Sequence, residues 1–362
     1  MMKIRKLFII FMLSFPFQVV MAGTPNLSFF NEQDGKALKK LFADPTLIPT
    51  LQRIKSEVRM GILDFSPERV EVVKQLNAAG IPVVAWLLLP KEKGYWFHGR
   101  NAKNAFARYA EIKNWADKSG LKFSGIGIDL ELDFNDIDLA KNHKIELLGK
   151  IIKRMYDNEG FAKSKKDYES LVNLIRKDGY KVESYYVPLI KEETKNGRSS
   201  IQQVSGFLDL TTDKDIPMLY TSFMGNAYGM IERMAVEEKL RFVALGSTGG
   251  GIDPTLKSMT WDDLAYDLRH VAGTAQEIHI FSLEGAVEKG FLPKLIDFDY
   301  SVPIKKAPEQ LKEVDSLKSA VSMISKLMSY PTLLIIGTFL IVSGFIYLIY
   351  RILKFLLSFS KS

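Results

Sequence analysis

The sequence of 362 residues contains no cysteine and only four histidines. The lack of cysteine excludes a disulfide framework, a thiolate zinc site and a cysteine nucleophile. It also suits an oxidising compartment. The composition, with 47% hydrophobic and 25% charged residues, indicates a globular chain with a membrane segment.

Acidic residues are absent from both ends of the chain, and this accounts for most of the net charge of +7. Without the basic residues at the two ends, the rest of the chain is close to neutral, at about +1. The basic character therefore does not predict a phosphate-binding face, and we expect no nucleic-acid partner. The basic end residues are Lys3, Arg5, Lys6, Arg351, Lys354 and Lys361.

The N-terminal segment, residues 1–22, reads MMKIRKLFIIFMLSFPFQVVMA. It combines a basic start, an apolar stretch and a small residue, Ala22, with Val20 two positions before it. This pattern predicts a signal peptide that is cleaved after Ala22. An uncleaved N-terminal anchor is the alternative, and in either case the body that follows is expected to be exported.

Residues 327–350 carry no charge. Their core, PTLLIIGTFLIVSGFIYLIY, is long enough to cross a hydrocarbon layer of roughly 30 Å as a helix. Tyr347 and Tyr350 are placed to mark the membrane interface. The segment therefore predicts one transmembrane helix, because a helix in a soluble core rarely lacks charge over such a length.

The flanks of this helix predict its orientation. Arg351 and Lys354 follow it at once, so residues 351–362 are expected to form a short basic cytoplasmic tail. The body, residues 23–303, then lies outside the cytoplasm. Residues 304–326 are polar and partly helical in pattern, and we interpret them as a stalk.

Short apolar runs alternate with amphipathic helical patterns through the body. This alternation predicts an α/β fold with a parallel sheet, and eight strands predict a closed (β/α)8 TIM barrel. The first run is the weakest, and without it an open doubly wound sheet is the alternative. The long charged segment between the fourth and fifth runs is expected to hold two helices. The eight runs are NLSFF, VRMGILDF, IPVVAWLLLP, FSGIGIDLEL, KVESYYVPLI, IPMLYTSFM, RFVALGSTG and EIHIFSLEG.

Each predicted strand is apolar early and polar or aromatic late. In a barrel of this kind the functional residues gather at the carboxyl ends of the strands. The pattern therefore predicts a site at one rim. The residues at the strand ends are Asp64, Trp86, Asp129, Glu131, Tyr185, Tyr220, Ser247, Thr248 and Glu284.

Asp129 and Glu131 lie two residues apart at the end of an apolar run. Alternate side chains of a strand share a face, so both acids are expected to point into the barrel above Gly125 and Gly127. Two like charges roughly 7 Å apart in a partly dry mouth repel, so one should hold a proton near neutrality, as a general acid requires. The alternative is that both acids pair with Lys or Arg from neighbouring strands.

The stretch SGIGIDLE resembles the fourth-strand signature DGxDxDxE of family 18 glycoside hydrolases, the chitinase-like barrels. Gly125, Asp129 and Glu131 match this signature. Ser124 and Gly127 replace its first two acidic positions.

The sixth strand extends the resemblance, and the eighth strand departs from it. The sixth-strand run MLY, residues 218–220, matches the M-x-Y of the family, although Thr221 stands where an acid usually follows. The eighth strand usually carries an aromatic floor residue in the family, whereas this sequence offers Ser282 and Glu284. The similarity thus covers three short motifs in the expected strand order.

The resemblance implies a glycosidase in which Glu131 protonates the leaving oxygen. Asp129 would orient the N-acetyl group of the substrate, which attacks the anomeric carbon, and Tyr220 would help to hold that group. The expected function is that of an exported, membrane-anchored protein acting on an N-acetylated poly- or oligosaccharide.

Two alternatives remain open. Gly127 and Thr221 replace acids of the family, so a catalytically inactive glycan-binding or scaffold barrel is one of them. The other is a conventional retaining glycosidase with Glu131 as the acid and Glu284 as the nucleophile.

The loop after the third strand, WLLLPKEKGYWFHGRNAKN, carries aromatic side chains that can stack on sugar faces. The alternative is that they fill the barrel and pack the loop. A lone loop histidine does not predict a metal site. The glycine-rich stretch at residues 246–251 lacks a Walker lysine, and no cofactor is expected. The predicted substrate-binding residues are Asp64, Trp86, Tyr95, Trp96, His98 and Tyr185.

Overall fold

Eight parallel strands pair in sequence order, and the eighth returns to the first, which closes a barrel. The computed structural model describes residues 24–250 and 257–359, so the predicted signal peptide lies outside the described residues. The predicted barrel is confirmed. The open doubly wound sheet is wrong, because the weak first run forms a strand that is paired on both sides. The strands are β1 Asn26–Asn31, β2 Glu57–Ile62, β3 Val83–Leu87, β4 Gly125–Asp129, β5 Lys181–Tyr186, β6 Lys214–Leu219, β7 Phe242–Gly246 and β8 Glu277–Phe281.

Helices surround the barrel and connect the strands. Side-chain caps fix some of their starts: Thr260 and Asp263, for example, form a reciprocal capping box before Trp261. The helices are α1 Gly35–Phe42, α2 Leu47–Ile54, α3 Pro67–Ala78, α4 Ala102–Ser119, α5 Phe134–Asn142, α6 Lys144–Met155, α7 Asn158–Lys177, α8 Leu189–Lys195, α9 Ser200–Ser205, α10 Thr221–Met224, α11 Ala227–Ile231, α12 Trp261–Val271, α13 Leu283–Glu288, α14 Leu292–Leu295, α15 Glu309–Met328 and α16 Pro331–Phe359.

The alternation of side chains along each strand divides the core into two layers. On β1, Leu27 and Phe29 pack outward against the helices, whereas Phe30 points into the barrel. The barrel is filled by side chains and is not a pore. The inner apolar cluster consists of Phe30, Trp86, Leu88, Tyr95, Tyr185, Ile216, Met218 and Ala244.

A charged layer closes the amino-terminal end of the barrel. Arg59 is fully buried there and donates from Nε and Nη2 to the two carboxylate oxygens of Glu183, at 3.0 and 2.8 Å. Lys214 pairs with Glu277 at 2.6 Å beside them. These residues lie at or near the starts of their strands, so this network is at the opposite end from the predicted site.

The connection between β4 and β5 contains three helices, α5 to α7, so the prediction of two helices is wrong. The chain breaks between α5 and α6 at His143, whose φ of −138° and ψ of 55° are not helical. The charged segment is therefore divided into two short helices and one long one.

The predicted stalk, residues 304–326, forms most of α15, which packs along the outside of the barrel. Ser325 Oγ donates to the buried carboxylate of Glu193 at 2.6 Å. Arg233 pairs with Asp315 at 2.7 Å nearer the start of the helix. These contacts hold α15 against α8 and against the turn that directly follows α11, so this segment does not stand apart from the body.

The C-terminal apolar helix is present as α16. Its residues 331–351 have a mean hydropathy of 2.4 and are not buried against the rest of the protein. Among the described residues it is the one helix that is long and apolar enough to cross a membrane.

Candidate active site

Asp129 is the last residue of β4, and Glu131 follows two positions later. Ile126, Ile128 and Leu130 belong to the outer core, so the intervening side chains point into the barrel mouth, as predicted. Asp129 is buried. Glu131 keeps some exposed surface.

Gly127 lies one alternate position below Asp129. A Cβ atom built on Gly127 would lie 2.2 Å from the hydroxyl oxygen of Tyr185, which is a severe overlap. Tyr185 comes from the neighbouring strand β5 and donates to Glu183 at 3.1 Å. The space in which the family 18 signature places a further acid is thus occupied by the Tyr185 ring.

Glu32 is a candidate that sequence reasoning missed. It directly follows β1, and its position continues the inward alternation of Ser28 and Phe30. Tyr95 Oη donates to Glu32 Oε1 at 2.5 Å. The alternation of inward and outward side chains could have identified Glu32. However, Glu32 lies just after the weakest predicted strand, where a polar residue is equally expected in a loop.

Glu284 is held at the same rim by β1. It lies in the first turn of α13 and accepts a hydrogen bond from Asn31 Nδ2 at 2.9 Å. The backbone N–H of Glu32 donates to its other oxygen at 3.2 Å. Glu284 and Glu32 are therefore joined through the end of one strand.

Burial raises the pKa of all four rim carboxyl groups. It raises the pKa of Glu32, Glu131 and Glu284 from 4.5 to about 7. The pKa of Asp129 lies well above its ordinary value, first because of burial and then because of the charges of Glu131 and Glu32. The structure thus supports a carboxyl group that is protonated near neutrality, although burial contributes more than the repulsion we expected.

The buried carboxyl group of Asp129 is not fully satisfied by hydrogen bonds. The indole of Trp86 opposes the rise in the pKa of this carboxyl group. However, neither Trp86 Nε1 nor Asp129 Oδ1 completes a hydrogen bond. A buried carboxyl group with an unsatisfied oxygen is costly to ionise, which favours its protonated form.

Asp129 and Glu131 do not form ion pairs with Lys or Arg in the part of the chain that the structure describes. The buried cation Arg59 serves Glu183 at the far end of the barrel instead. The ion-pair alternative therefore finds no support. Within residues 24–250 and 257–359, no group of His, Asp and Glu side chains is arranged to hold a metal.

Trp86 and Tyr185 form an aromatic floor below the carboxyl groups. Both rings pack edge-to-face on Phe30, with ring centroids 5.4 and 4.8 Å from it. Both side chains are buried, so their packing in the barrel interior accounts for their presence.

The aromatic loop after β3 packs against the barrel mouth. Tyr95 is buried, and the Trp96 ring lies 5.3 Å from it and 5.8 Å from Phe134. His98 is also buried, and burial lowers its pKa to about 4. These contacts agree with the alternative in which the aromatic side chains pack the loop. Stacking of Tyr95, Trp96 or His98 on a sugar stays a prediction.

Asp64 organises the loop after β2. It accepts hydrogen bonds from Arg69 Nη2 at 3.0 Å, Ser66 Oγ at 2.5 Å and the backbone N–H of Gly35 at 2.9 Å. Burial alone would raise the pKa of Asp64, but Arg69 and Ser66 hold it well below 3.8. This carboxylate is thus engaged in shaping the rim.

Tyr220 lies at the rim just after β6, and its ring packs on Phe281 with centroids 5.4 Å apart. Its hydroxyl pKa is raised by burial and then by the charges of Asp129, Glu131 and Glu32. It therefore lies within electrostatic reach of the acids, while its contact with an acetamide group stays a prediction.

Comparison with known proteins supplies no family. No protein-family model and no curated protein matches this sequence. Among solved structures, a 3-keto-D-glucoside 4-epimerase from E. coli is similar, with 11% identity, a TM-score of 0.41, and coverage of 75% of this chain and 98% of that chain. A D-psicose 3-epimerase from Clostridium cellulolyticum has 12% identity, a TM-score of 0.38 and coverage of 82% and 99%. An aldose reductase from Giardia lamblia has 10% identity, a TM-score of 0.41 and coverage of 83% and 94%. At these values the likeness carries no conclusion about activity.

Proposed function

We propose that this chain is a membrane-anchored, saccharide-acting barrel that cleaves a glycosidic bond with Glu131 as general acid. The observation that carries the proposal is the convergence of Glu32, Asp129, Glu131 and Glu284 at the carboxyl-terminal rim, each with a raised pKa. A carboxyl group with a pKa of about 7 is partly protonated at neutral pH and can deliver that proton in a reaction.

In the proposed reaction, protonated Glu131 transfers its proton to the leaving oxygen as the bond between the anomeric carbon and that oxygen breaks. Water then adds to the anomeric carbon, and its proton returns to the Glu131 carboxylate. Burial keeps the pKa of Glu131 high. With an N-acetylated substrate, Asp129 orients the acetamide group, which Tyr220 contacts.

Glu32 refines this proposal. Burial is the first cause of the raised pKa of both Asp129 and Glu32. The charge of Glu32 adds to the rise at Asp129, and the charges of Glu284 and Glu131 add to the rise at Glu32. Glu32 is therefore electrostatically linked to the acids on both sides. For a conventional two-carboxylate mechanism, we propose it ahead of Glu284 as the partner of Glu131. Both oxygens of Glu284 accept hydrogen bonds, from Asn31 Nδ2 and from the backbone N–H of Glu32, whereas Tyr95 donates to Oε1 of Glu32.

The test is turnover by the full chain in detergent, on a panel of N-acetylated and plain glycans with a reducing-end assay. Glu131→Gln should lower the rate by about 100-fold or more, because the shape is kept and the transferable proton is lost. Glu32→Gln should also impair turnover if Glu32 is the second carboxylate. The matched control is Glu288→Gln, an exposed residue on the same helix as Glu284, which should retain the wild-type rate.

A second candidate is a glycan-binding barrel without turnover. It is favoured by the Tyr185 ring above Gly127, which occupies the place of the acid in the proton relay of the family. In that case no glycan is cleaved by the wild type, while a glycan array still reports specific binding. Binding that survives Glu131→Gln, together with no turnover by any form, would support this candidate over the hydrolase.

We further propose that α16 anchors the barrel, with the body outside the cytoplasm and the basic tail inside. The support is the exposed apolar surface of residues 331–351 and the basic residues that follow. Protease applied to intact cells, with any outer envelope permeabilised, should digest the body and spare the tail. Protection of the body would contradict the exported orientation.

A further inference from the structure

Helix α6 has two adjacent rows of apolar side chains along one broad side. Leu147, Ile151 and Met155 lie on its protein-facing side, and Met155 is buried. In the adjacent row, Ile145, Leu148 and Ile152 are 89%, 55% and 36% exposed. The spacing of three, four and then four residues to the exposed Tyr156 places these four side chains in one stripe along the helix. The protein leaves this stripe uncovered.

The stripe ends beside the start of α16. Tyr156, directly after α6, has its hydroxyl 3.2 Å from Thr332 Oγ1 in the first turn of α16. Ser200 Oγ lies 2.8 Å from Ser329 Oγ, which ties α9 to the same junction. The position of the stripe relative to the proposed membrane entry is therefore fixed by direct contacts.

The last turns of α15 add exposed apolar surface at this junction. Met323 and Leu327 are largely exposed, while Ser325 of the same helix faces the barrel. Two helices thus present uncovered apolar side chains next to the point where the chain would enter a bilayer.

Basic residues accompany the stripe. Lys144, Lys150 and Lys153 lie on α6, and its one acidic residue, Glu146, pairs with Lys150 at 3.5 Å. Apolar side chains on one face with lysines beside them are typical of helices that lie in the headgroup region of a bilayer, where anionic lipids add attraction.

We propose that α6 lies in the interface of the bilayer that α16 enters, with Ile145, Leu148 and Ile152 inserted among the lipids. This inference rests on the proposed anchoring by α16. A second contact of this kind holds the barrel in a fixed orientation on the membrane, because one helix alone leaves rotation about its axis free. The connection that contains α6 begins at the rim beside Glu131, so the mouth of the barrel is held close to the membrane surface.

The chain has no cysteine, so single-cysteine variants carry one environment-sensitive fluorophore without background. The full chain is reconstituted in vesicles with anionic lipid and labelled at Leu148→Cys. Phe339→Cys in α16 reports anchoring, and Lys74→Cys on the exposed side of α3 is the water control. We expect a blue shift and quenching by a spin-labelled lipid at positions 148 and 339, and neither effect at position 74.

The outcomes separate the two proposals. No lipid quenching at position 339 means that the anchoring fails. Quenching at position 339 with a water-like signal at position 148 overturns the placement of α6 and leaves the anchor intact. A blue shift at position 148 without lipid quenching indicates a protein contact, such as a second copy of the chain, and also overturns it. Adding Ile145→Glu and Ile152→Glu should return the label at position 148 towards the water-like signal.

Discussion

The lack of a side chain at Gly127 makes room for another residue inside the barrel mouth. The position is inward on β4, and Tyr185 from β5 occupies the space above it. The inward orientation could be predicted from the alternation through Gly125, Asp129 and Glu131. The occupation by Tyr185 could not, because it depends on the register between two strands that are far apart in sequence.

Replacing Gly127 by alanine should therefore destabilise the protein. Its Cβ would overlap the Tyr185 hydroxyl, and overpacking of this kind costs roughly 1–3 kcal/mol in the free energy of unfolding. Chemical denaturation of the full chain measures the effect. Gly149→Ala is the matched control: nothing lies within 4 Å of its Cβ, and it should stabilise α6 by roughly 0.5–1 kcal/mol. Equal effects of the two substitutions would contradict the packing described here.

The raised pKa of Glu32 could not be predicted from the residues next to it in the sequence. The residues that raise its pKa beyond the effect of burial, Glu284 and Glu131, come from other strands or their connections. Sequence alternation predicts which side chains face inward, but not which buried charges meet there.

At the scale of elements, the eight strands were predicted with approximate bounds, because apolar runs bounded by polar residues are strong signals. The sequence of α15 indicates a stalk because its pattern is polar. Its barrel-facing side carries the small polar residues Ser322 and Ser325, which resemble a solvated face in the sequence. The partners that make them internal, Arg198 and Glu193, are far away in the chain.

Ser325→Ala tests the docking of α15. The hydroxyl donates to the buried carboxylate of Glu193, which also accepts from the backbone N–H groups of Ile201 and Gln202. Loss of a hydrogen bond to a charged group costs roughly 1.5–3 kcal/mol. Ser316→Ala is the control, since Ser316 is exposed and donates within its own helix, and it should change stability by less than about 0.5 kcal/mol. If the loss of stability caused by Ser325→Ala disappears in a Glu193→Ala background, it arises from the hydrogen bond between Ser325 and Glu193. If the full loss persists in that background, this assignment is wrong.

At the scale of the whole molecule, barrel closure removes water from the four rim carboxyl groups, and this makes stability depend on pH. The pKa of Glu32, Glu131 and Glu284 is about 7 in the folded chain and 4.5 as the ordinary value. The folded state therefore binds more protons between these values. The resulting stabilisation is fully present below pH 4.5 and is lost as the pH rises through about 7.

We therefore expect the denaturation midpoint of the full chain in detergent to fall as the pH is raised from about 4.5 to 7. The triple variant Glu32→Gln, Glu131→Gln and Glu284→Gln cannot bind these protons, so its midpoint should fall less over the same range. Parallel curves for the two proteins would show that the stability change arises from other groups.

The central claim is that Glu131 holds a proton near neutral pH inside the barrel mouth. Infrared titration of the full chain measures this directly, because a protonated carboxyl group absorbs at a frequency distinct from a carboxylate. The difference between wild type and Glu131→Gln should contain a protonated carboxyl band that disappears with a midpoint at about pH 7. A band that disappears near the ordinary pKa of 4.5 would contradict the account, because Glu131 would then be ionised at neutral pH and could not act as the acid.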